Sequence, residues 1–433
     1  MNPCDVNVLL ISSANPLIGP GRIGVDYYKA YNEYGFKTDF LTLYPVEGYE
    51  DIFYVKEKKD PSFLSKIGRY INKKYKKFFF RQQSGFYFFY KYEKNPPVSN
   101  SVLLKSIKKK YDIVVILFWQ EMLSFSSIKA IYDKIQCNFH FLGVDYSQMS
   151  GGCHFVGDCK GYIYGCKECL AVTPLLFNNF AKENVQFRKA VYEKIKPIVG
   201  GNTYMIDEFY KKSYLLKDVQ FAKTDAIINL DKFKPYNHIM IREKLKLPKD
   251  KTFYILFGAQ NLSDKRKGII YLLEALSIFS KKISEIEKTK ICVITIGKTV
   301  PEIINAIPFE HIDYGYVSED ILIEIYAASD VFLSSTINDA GAIMINQSQS
   351  CGTPVVAFEI GGALDCIKNK NTGYCAKLLD SEDFANGIQY IYQMTNVERN
   401  ELRARNRDYA LAHYSFKAAG ERLKKIYEDY WCE

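Results

Sequence analysis

Residues 252–268 read TFYILFGAQNLSDKRKG, and this stretch indicates most directly how the chain folds. An apolar run from Thr252 to Phe257 ends in Gly258-Ala259, a cationic loop follows, and helical periodicity begins at Gly268. A strand-sized apolar run followed by glycine and an amphipathic helix is typical of a βα unit in a parallel sheet. The segment therefore predicts an α/β fold.

The same alternation recurs on both sides of this segment. Apolar runs predict strands at 6–11, 38–43, 113–118, 138–144, 252–257, 291–296, 331–334 and 354–358, and helical periodicity predicts helices at 25–34, 268–279, 319–328 and 343–350. Two such series, each with a glycine-containing loop directly after a strand, predict two doubly wound parallel-sheet domains that face each other across a ligand cleft. Turn-forming residues at 229–235 lead us to expect domains at 1–230 and 231–413, with an amphipathic helix at about 414–433 that packs back on the first.

The composition is that of a folded globular protein. The chain has 433 residues, of which 48% are hydrophobic and 25% charged, and this length allows more than one hydrophobic core. Its formal charge of +9 favours anionic partners such as phosphates or anionic lipid. Because no apolar run approaches the ~18–20 residues of a membrane span and the N-terminus lacks a basic signal region, we expect a cytoplasmic protein. The cysteines number eleven, and this odd count favours thiols and metal ligands over a disulfide framework.

Two loops at predicted strand ends carry residues suited to phosphate and sugar chemistry. Asp264-Lys265-Arg266-Lys267-Gly268 combines side-chain charge with a helix start, which suits a pyrophosphate; the alternative is a solvated basic loop. In Asn338-Asp339-Ala340-Gly341-Ala342, we expect Asp339 to cap the following helix and the small residues to open the backbone to a ligand. Together the loops predict two walls of a sugar-nucleotide site.

A third loop, Gly19-Pro20-Gly21-Arg22-Ile23-Gly24, follows the first predicted strand. Its glycines would let backbone N–H groups approach an anion. Three interpretations are open: a nicotinamide dinucleotide site, another phosphate-binding role, and a structural turn. The dinucleotide interpretation needs an acid at the end of the second strand, whereas Asp39 lies within that strand, and Pro20 removes one N–H group.

Taken together, these motifs resemble one family, the retaining GT-B glycosyltransferases of family 4, called glycosyltransferase group 1. The similarity extends over almost the whole chain and is strongest from Thr252 to Asp380. The matching motifs there are Phe257-Gly258-Ala259, Arg266-Lys267-Gly268, Ala340-Gly341, CGTPVV at 351–356, Gly361-Gly362 and Thr372-Gly373-Tyr374. Within the family, the chain resembles the subgroup with Gly151-Gly152-Cys153-His154 and further cysteines in the first domain.

The resemblance implies a site for a UDP- or GDP-linked sugar donor, net retention of configuration, and no cofactor or metal for catalysis. It implies that Arg266 and Lys267 bind the donor pyrophosphate and balance the charge of the leaving group, that Asp339 faces the donor sugar, and that Asp145 acts on the acceptor side. The donor-binding set that it implies comprises Gly19, Gly21, Gly258, Arg266, Lys267, Val317, Asp339, Ala340, Gly341, Ala342 and Gln347.

Three positions depart from the family pattern. Gln347 replaces the second acid of the usual pair on this loop and helix, so a neutral amide would have to hold the ribose hydroxyls. Asn261 stands where many members have an arginine. Val144 stands where many members have a histidine directly before the aspartate, which leaves the acceptor-side imidazole unassigned.

Four cysteines have the spacing of metal ligands. Cys153, Cys159, Cys166 and Cys169 form a C-x5-C-x6-C-x2-C pattern beside His154, and four thiolates at such spacing suit tetrahedral Zn²⁺. A closed structural zinc site would staple a long loop near the acceptor. The alternatives are an iron–sulfur cluster and a loop of reduced thiols.

The stretch from Lys56 to Lys94 is both basic and aromatic, with Phe78-Phe79-Phe80 and FYFFY at 86–90 among its lysines and arginines. Such a stretch favours docking at an anionic surface, here the inner face of the membrane; the alternative is a solvated helix followed by a buried aromatic strand. Single-stranded nucleic acid attracts the same residue types, but no nucleic-acid-binding signature accompanies them, so we expect no nucleic acid partner.

The sequence thus predicts a glycosyltransferase that moves a sugar from a nucleotide-sugar donor to a glycan or lipid-linked acceptor, in the synthesis of surface polysaccharide or glycoconjugate. One alternative is a non-catalytic, zinc-stapled sugar- or membrane-binding protein of the same fold. The other is an NAD-linked enzyme built on Gly19 to Gly24.

Overall fold

The computed structural model describes residues 5–17, 19–55, 87–88, 93–171 and 180–431. The chain divides into two compact units, one comprising Met1–Thr224 with Ala419–Glu433 and the other Asp225–Ala418. The chain passes from the first unit to the second between Thr224 and Asp225, whereas the sequence predicted this boundary between residues 230 and 231. The chain returns to the first unit at Ala419, where the sequence predicted about 414.

The first unit contains a parallel sheet. Its strands are β1 (Asn7–Ser12), β2 (Lys37–Thr42), β3 (Ile52–Tyr54), β5 (Ile113–Ile116), β6 (Asn138–Phe141), β8 (Ile198–Gly201) and β9 (Gln220–Lys223). They lie in the order β3-β2-β1-β5-β6-β8-β9, with every neighbouring pair parallel. Two short strands, β4 (Tyr87–Phe88) and β7 (Cys153–Phe155), form a separate antiparallel pair. Among the described residues of this unit, the helices are α1 (Arg22–Tyr34), α2 (Asn100–Ser106), α3 (Phe125–Ile135) and α4 (Phe180–Ile195).

The central strands of this sheet are apolar along their length because both faces of the sheet are covered. All four side chains of β5 are buried, as are those of β1 from Val8 onward. Parallel sheets need such continuous apolar runs, which is why β1 and β5 were visible in the sequence. Strand β1 pairs with β2 on one side and with β5 on the other. The strand order therefore reverses between β1 and β5, and ligands of such sheets bind beyond the carboxyl ends of the strands at this switch point.

The second unit repeats this architecture. Its strands are β10 (Phe253–Asn261), β11 (Ile291–Lys298), β12 (Glu310–Asp313), β13 (Val331–Ser334), β14 (Val355–Phe358) and β15 (Gly373–Ala376). They lie in the order β12-β11-β10-β13-β14-β15, and all pairs are parallel. The switch point of this sheet lies between β10 and β13. The prediction of two parallel-sheet α/β domains is confirmed.

Helices cover both faces of the second sheet. They are α5 (His238–Lys244), α6 (Ile269–Lys281), α7 (Glu285–Lys288), α8 (Pro301–Asn305), α9 (Glu319–Ala328), α10 (Ile343–Ser350), α11 (Gly362–Cys366), α12 (Ser381–Tyr392) and α13 (Asn396–Tyr414). One hydrophobic core includes Leu276 and Phe279 of α6 with Phe384 of α12, and a second includes Tyr326 of α9 with Tyr414 of α13. The predicted bounds of α9, α10 and β13 are confirmed, whereas β10 runs on to Asn261.

The last helix, α14 (Phe416–Tyr430), packs on the first unit from Ala419 onward. Gly420 lies so close to α1 that a Cβ there would stand 2.2 Å from Cγ of Tyr34. Ile426 packs with Ile198 of β8 and Ala222 of β9, and the Tyr430 hydroxyl donates to the Phe221 carbonyl at 3.3 Å.

Two sequence-based expectations concern membranes. Among the described residues, no helix combines the length and the apolar character that crossing a bilayer requires. The basic and aromatic stretch from Lys56 to Lys94 lies outside the described residues, apart from β4 and residues 93–94. Membrane docking of that stretch stays a prediction.

Candidate active site

Lys267 and Asp339 meet at the switch point of the second sheet. Lys267 lies in the loop after β10 and Asp339 in the loop after β13, and these two strands are neighbours. Nζ of Lys267 lies 2.7 Å from Oδ2 of Asp339, with 23% and 27% of the two side chains exposed. The pair is therefore sheltered but still open to a ligand, at the edge of the sheet where ligands bind.

Arg266 lies beside this pair and is fixed by its own loop. Its backbone N–H donates to Oδ1 of Asp264 at 3.0 Å, and its Nη2 donates to Oδ2 at 2.8 Å. Its carbonyl accepts from the Ile337 N–H at 2.8 Å, and its Nη1 contacts the Asn338 carbonyl at 3.4 Å. The cationic loop is thereby tied to the loop after β13. Arg266 is thus held in place, where its charge can stabilise an anionic ligand.

Two glycines allow the loops of this site to approach each other. Gly268 has φ +61°, and a Cβ there would lie 2.1 Å from the Ser335 carbonyl oxygen. Gly361 has φ +56°, and a Cβ there would lie 2.5 Å from the Asp339 carbonyl oxygen. Both positions thus require glycine. Gly341 differs, because the space around its Cβ position is open, which leaves room beside Asp339.

Asp339 does not cap helix α10, so this expectation from the sequence was wrong. The helix begins at Ile343, its N-cap is Ala342, and no side chain caps it. The Asp339 carboxylate instead accepts from Lys267 and, through Oδ1 at 2.9 Å, from the Ala340 N–H. A bond to a cation is stronger than a bond to a neutral donor, and the lysine comes within reach only because β10 and β13 are neighbours.

The other residues implied for the donor site have mixed surroundings. Gln347 is half-buried on α10, and Ala340 is buried. Gly258 is packed within the sheet, where a Cβ would lie 2.2 Å from Cγ1 of Ile296. Val317 packs against the hydrophobic core around Ile296 and Ile323. The fold thus places Gly258 and Val317 in packing positions, and their contact with a donor stays a prediction.

The glycine loop of the first unit lies at that unit's own switch point. Residues Gly19–Gly21 form a 3-10 turn after β1, and α1 follows directly. Gly19 has φ +51° and open space around its Cβ position, whereas a Cβ on Gly21 would lie 2.0 Å from the Asn15 carbonyl oxygen. Gly21 is therefore required for packing, and Gly19 is the more accessible of the two.

Asp39 is not placed as a dinucleotide site requires. It lies opposite Leu9 in the middle of β2 and is only 8% exposed. Its carboxylate accepts from the Tyr111 hydroxyl at 2.5 Å and from Lys109 Nζ at 3.1 Å. An acid that binds a ribose would stand at the strand end. The geometry of Asp39 therefore argues against the NAD-linked alternative.

Asp145 is the centre of a buried polar network in the first unit. It follows β6 and has no exposed surface. Its Oδ1 accepts from both the backbone N–H and the hydroxyl of Ser147. Its Oδ2 accepts a hydrogen bond at 3.2 Å from Nε2 of Gln120, a residue in the loop after β5. Nδ1 of His154 lies 2.6 Å from the same Oδ2.

His154 places an imidazole beside Asp145, and whether that imidazole serves the acceptor stays a prediction. It lies on β7, and its side chain is 24% exposed while that of Asp145 is fully buried. The family pattern looks for histidine directly before the aspartate, where this chain has Val144. In the structure, the histidine that contacts Asp145 lies instead on the separate short strand β7. Sequence reasoning noted His154 only as a neighbour of the cysteines and missed its contact with Asp145.

A buried ion pair holds the segment after Asp145. Arg188 of α4 donates through Nη2 to Oε1 of Glu93 at 2.5 Å, and the two side chains are only 4% and 3% exposed. Nη1 of Arg188 also donates to the carbonyls of Ser147 and Ser150, each at 2.5 Å. This pair was not predictable from the sequence, because its members are far apart in the chain and neither belongs to a motif.

The four predicted zinc ligands lie close together as thiols in the first unit. Burial raises the pKa of Cys166 to about 11. The pKa of Cys153 is raised by burial and then by the neighbouring thiols Cys169, Cys166 and Cys159. Within the described ranges, no three His, Cys, Asp or Glu side chains are already gathered at metal-ligand spacing. Zinc binding therefore stays a prediction.

Comparison with known proteins finds a family match in the second unit. Residues 240–411 match the family model for glycosyl transferases group 1. The D-inositol 3-phosphate glycosyltransferase of Corynebacterium jeikeium is 29% identical over 111 residues, which is 25% of each chain. The sequence alignment thus spans about a quarter of the length of such curated relatives.

Solved structures resemble the chain over almost its whole length. The alignment with sucrose-phosphate synthase from Thermosynechococcus elongatus covers 98% of each chain, with a TM-score of 0.65 at 16% identity. Anabaena HepE, solved in complex with UDP, covers 98% of this chain and 100% of its own with a TM-score of 0.60 at 13% identity. At these identities the likeness shows the fold alone. The chain therefore has the two-domain GT-B fold, and residues 240–411 of its second unit match the glycosyl transferases group 1 model.

Proposed function

We propose that this chain is a glycosyltransferase that moves a sugar from a UDP- or GDP-linked donor to a glycan or lipid-linked acceptor with retention of configuration. The observation that supports this most strongly is the Lys267–Asp339 pair at the switch point of the second sheet, inside the region that matches the family model. We further propose that the acceptor belongs to surface polysaccharide or glycoconjugate synthesis, as the family resemblance implies.

The donor diphosphate binds Lys267 and Arg266 in this proposal. A diphosphate carries more negative charge than one carboxylate, so it competes with Asp339 for Lys267. As the bond between the anomeric carbon and the phosphate oxygen breaks, negative charge grows on the leaving group, and these fixed cations stabilise it. The open space at Gly341 leaves room for the donor sugar beside Asp339.

The acceptor side of the reaction belongs to the first unit in this proposal. Asp145 is buried, so it acts through His154, the partly exposed member of the pair. The bonds from Ser147 and Gln120 fix the carboxylate, and the carboxylate in turn fixes the imidazole ring. A ring held in this way can orient an acceptor hydroxyl by a hydrogen bond.

We also propose a reducing location such as the cytoplasm. The nine cysteines in the described part of the chain are all thiols, although four of them are neighbours. Thiols in such proximity persist where the compartment is reducing.

A panel of nucleotide sugars tests the proposed function. The purified protein is incubated with each UDP- and GDP-linked sugar and a mixture of glycan and lipid-linked acceptors, and release of the nucleoside diphosphate is measured. UDP-sugars come first, since the structurally similar HepE was solved with UDP. We expect release with one donor class and a product whose anomeric configuration, by NMR, equals that of the donor. Absence of release with every donor would contradict the proposal, and an inverted product would contradict retention.

A further inference from the structure

The segment between β7 and α4 has little regular structure to hold it. Its described residues 156–171 contain the 3-10 turn Gly161–Tyr164 and no strand or α-helix. The hydrophobic cluster beneath it is small, consisting of Ala171, Phe180 and Ala181. A segment of this length with so thin a core needs another source of stability to keep one conformation.

Four cysteine side chains lie close together on this segment. The side chains of Cys153, Cys166 and Cys169 all pack against the small cluster just described. Cys159 joins them at Gly161: a Cβ on that glycine would lie 3.3 Å from Cys159 Sγ and 3.9 Å from Cys166 Cα. The four thiols are thus neighbours in space as well as in sequence.

Backbone N–H groups point at two of these sulfurs. The Gly161 N–H donates to Sγ of Cys159 at 3.3 Å, from two residues further along the chain. The Gly151 N–H donates to Sγ of Cys166, also at 3.3 Å. A neutral thiol is a weak acceptor, whereas a metal-bound thiolate carries charge that such donors stabilise. Cys166 itself has φ +50°, an uncommon conformation for a residue other than glycine, at the start of the Cys-x-x-Cys pair.

We propose that Cys153, Cys159, Cys166 and Cys169 together bind one structural zinc ion that fixes residues 151–171 on the first unit. Four ligands and no open position make a closed tetrahedral site of the structural kind. Among the described residues, no group of three or more potential metal ligands is arranged to hold an ion, so the four sulfurs must move to bind zinc. Rotation about χ1 of each cysteine moves its sulfur towards the others while the backbone stays in place.

The zinc site also bears on His154. Cys153 and His154 are consecutive on β7, so a metal bound to Cys153 anchors the strand that brings the imidazole to Asp145. This consequence needs only that the strand be held. The zinc proposal itself stands independently of the glycosyltransferase proposal, because metal content is measured without a substrate.

Metal analysis of the full-length protein tests the proposal. The protein is prepared without added metal and without a histidine tag, and its zinc, iron and sulfide contents are measured. We expect about one zinc per chain and neither iron nor sulfide. Replacing zinc by Co²⁺ should then give the intense visible bands of tetrahedral cobalt and the near-ultraviolet sulfur-to-cobalt charge-transfer band.

Two variants locate the ion. The double variant Cys166→Ser/Cys169→Ser should lose the zinc, whereas Cys375→Ser, a half-buried cysteine on β15 in the other unit, should retain it. If the double variant fails to fold, titration of the wild-type thiols with a mercurial should release zinc to a dye in step with modification of four thiols. Folded protein that contains no zinc and gives no cobalt spectrum would overturn the proposal. Zinc retained by the folded double variant, or iron and sulfide in place of zinc, would overturn it equally.

Discussion

Replacing Arg188 by methionine should destabilise the first unit strongly. Arg188 and Glu93 are 4% and 3% exposed, so the substitution leaves a carboxylate buried without its cation. Removing one partner of such a pair costs about 3–5 kcal/mol. The change also removes the donor to the Ser147 and Ser150 carbonyls and the contact of the guanidinium carbon with the Phe125 ring, 5.0 Å from its centroid.

Urea unfolding followed by tryptophan fluorescence measures this cost in the right part of the molecule. The chain has two tryptophans, Trp119 and Trp431, and both belong to the first unit. Trp119 lies 6.3 Å from Phe125, ring centroid to centroid, so its emission reports on the surroundings of Arg188. The free energy of unfolding should fall by about 3–5 kcal/mol, with an unchanged dependence on urea concentration.

Two further variants separate the effect of the buried charge from a general effect of substitution. Lys211→Met breaks an ion pair with Asp207 whose side chains are 60% and 48% exposed, and should cost at most about 1 kcal/mol. Adding Glu93→Gln to Arg188→Met removes the stranded charge and should restore about 1–3 kcal/mol. An Arg188→Met cost no larger than that of Lys211→Met, or a double variant no more stable than the single one, would show that the buried charge is not what destabilises the variant.

Three other predictions follow from particular contacts. Burial lowers the pKa of His140 from 6.5 to about 4, so between these pH values the unfolded chain binds more protons than the folded one, and stability should fall as the pH drops from 6.5 towards 4. In urea unfolding measured at each pH, His140→Leu should weaken this dependence of stability on pH. An unchanged dependence in the variant would be the contrary result. Gly268→Ala should lower stability by more than about 1 kcal/mol and impair transfer, because its Cβ would clash with the Ser335 carbonyl. Its control is Gly315→Ala, with similar φ (+58°) and open space, and equal losses in the two variants would show that the clash is unimportant. His154→Ala should lower transfer to the acceptor at least tenfold while binding of the nucleoside diphosphate, measured by calorimetry, stays within about twofold; equal loss of both would contradict an acceptor-side role.

The sequence predicted the parts of this molecule that local pattern determines. Buried parallel strands are continuous apolar runs, so β5 and β13 were visible, and the loops after β10 and β13 contained the charged and small residues expected of a phosphate site. Pairs that depend on strand order were not visible. Asp339 binds Lys267 instead of capping α10, because β10 and β13 are neighbours in the sheet. His154 contacts Asp145 from β7, a strand too short to show hydrophobic periodicity in the sequence. Arg188 and Glu93 left no signal, since a buried ion pair has no sequence spacing of its own.

The rate at which Lys267→Ala releases the nucleoside diphosphate is the most direct test of whether Lys267 binds the donor. The matched control is Lys282→Ala, which also removes a lysine from an ion pair of the second unit, with Glu382 at 2.5 Å, but lies at the far end of α6. With the donor identified for the wild type, we expect Lys267→Ala to lower the rate at least a hundredfold, which is about 2.7 kcal/mol of transition-state stabilisation. Lys282→Ala should stay within about twofold of wild type. A folded Lys267→Ala variant that releases the diphosphate at the wild-type rate would contradict the assignment of the donor site.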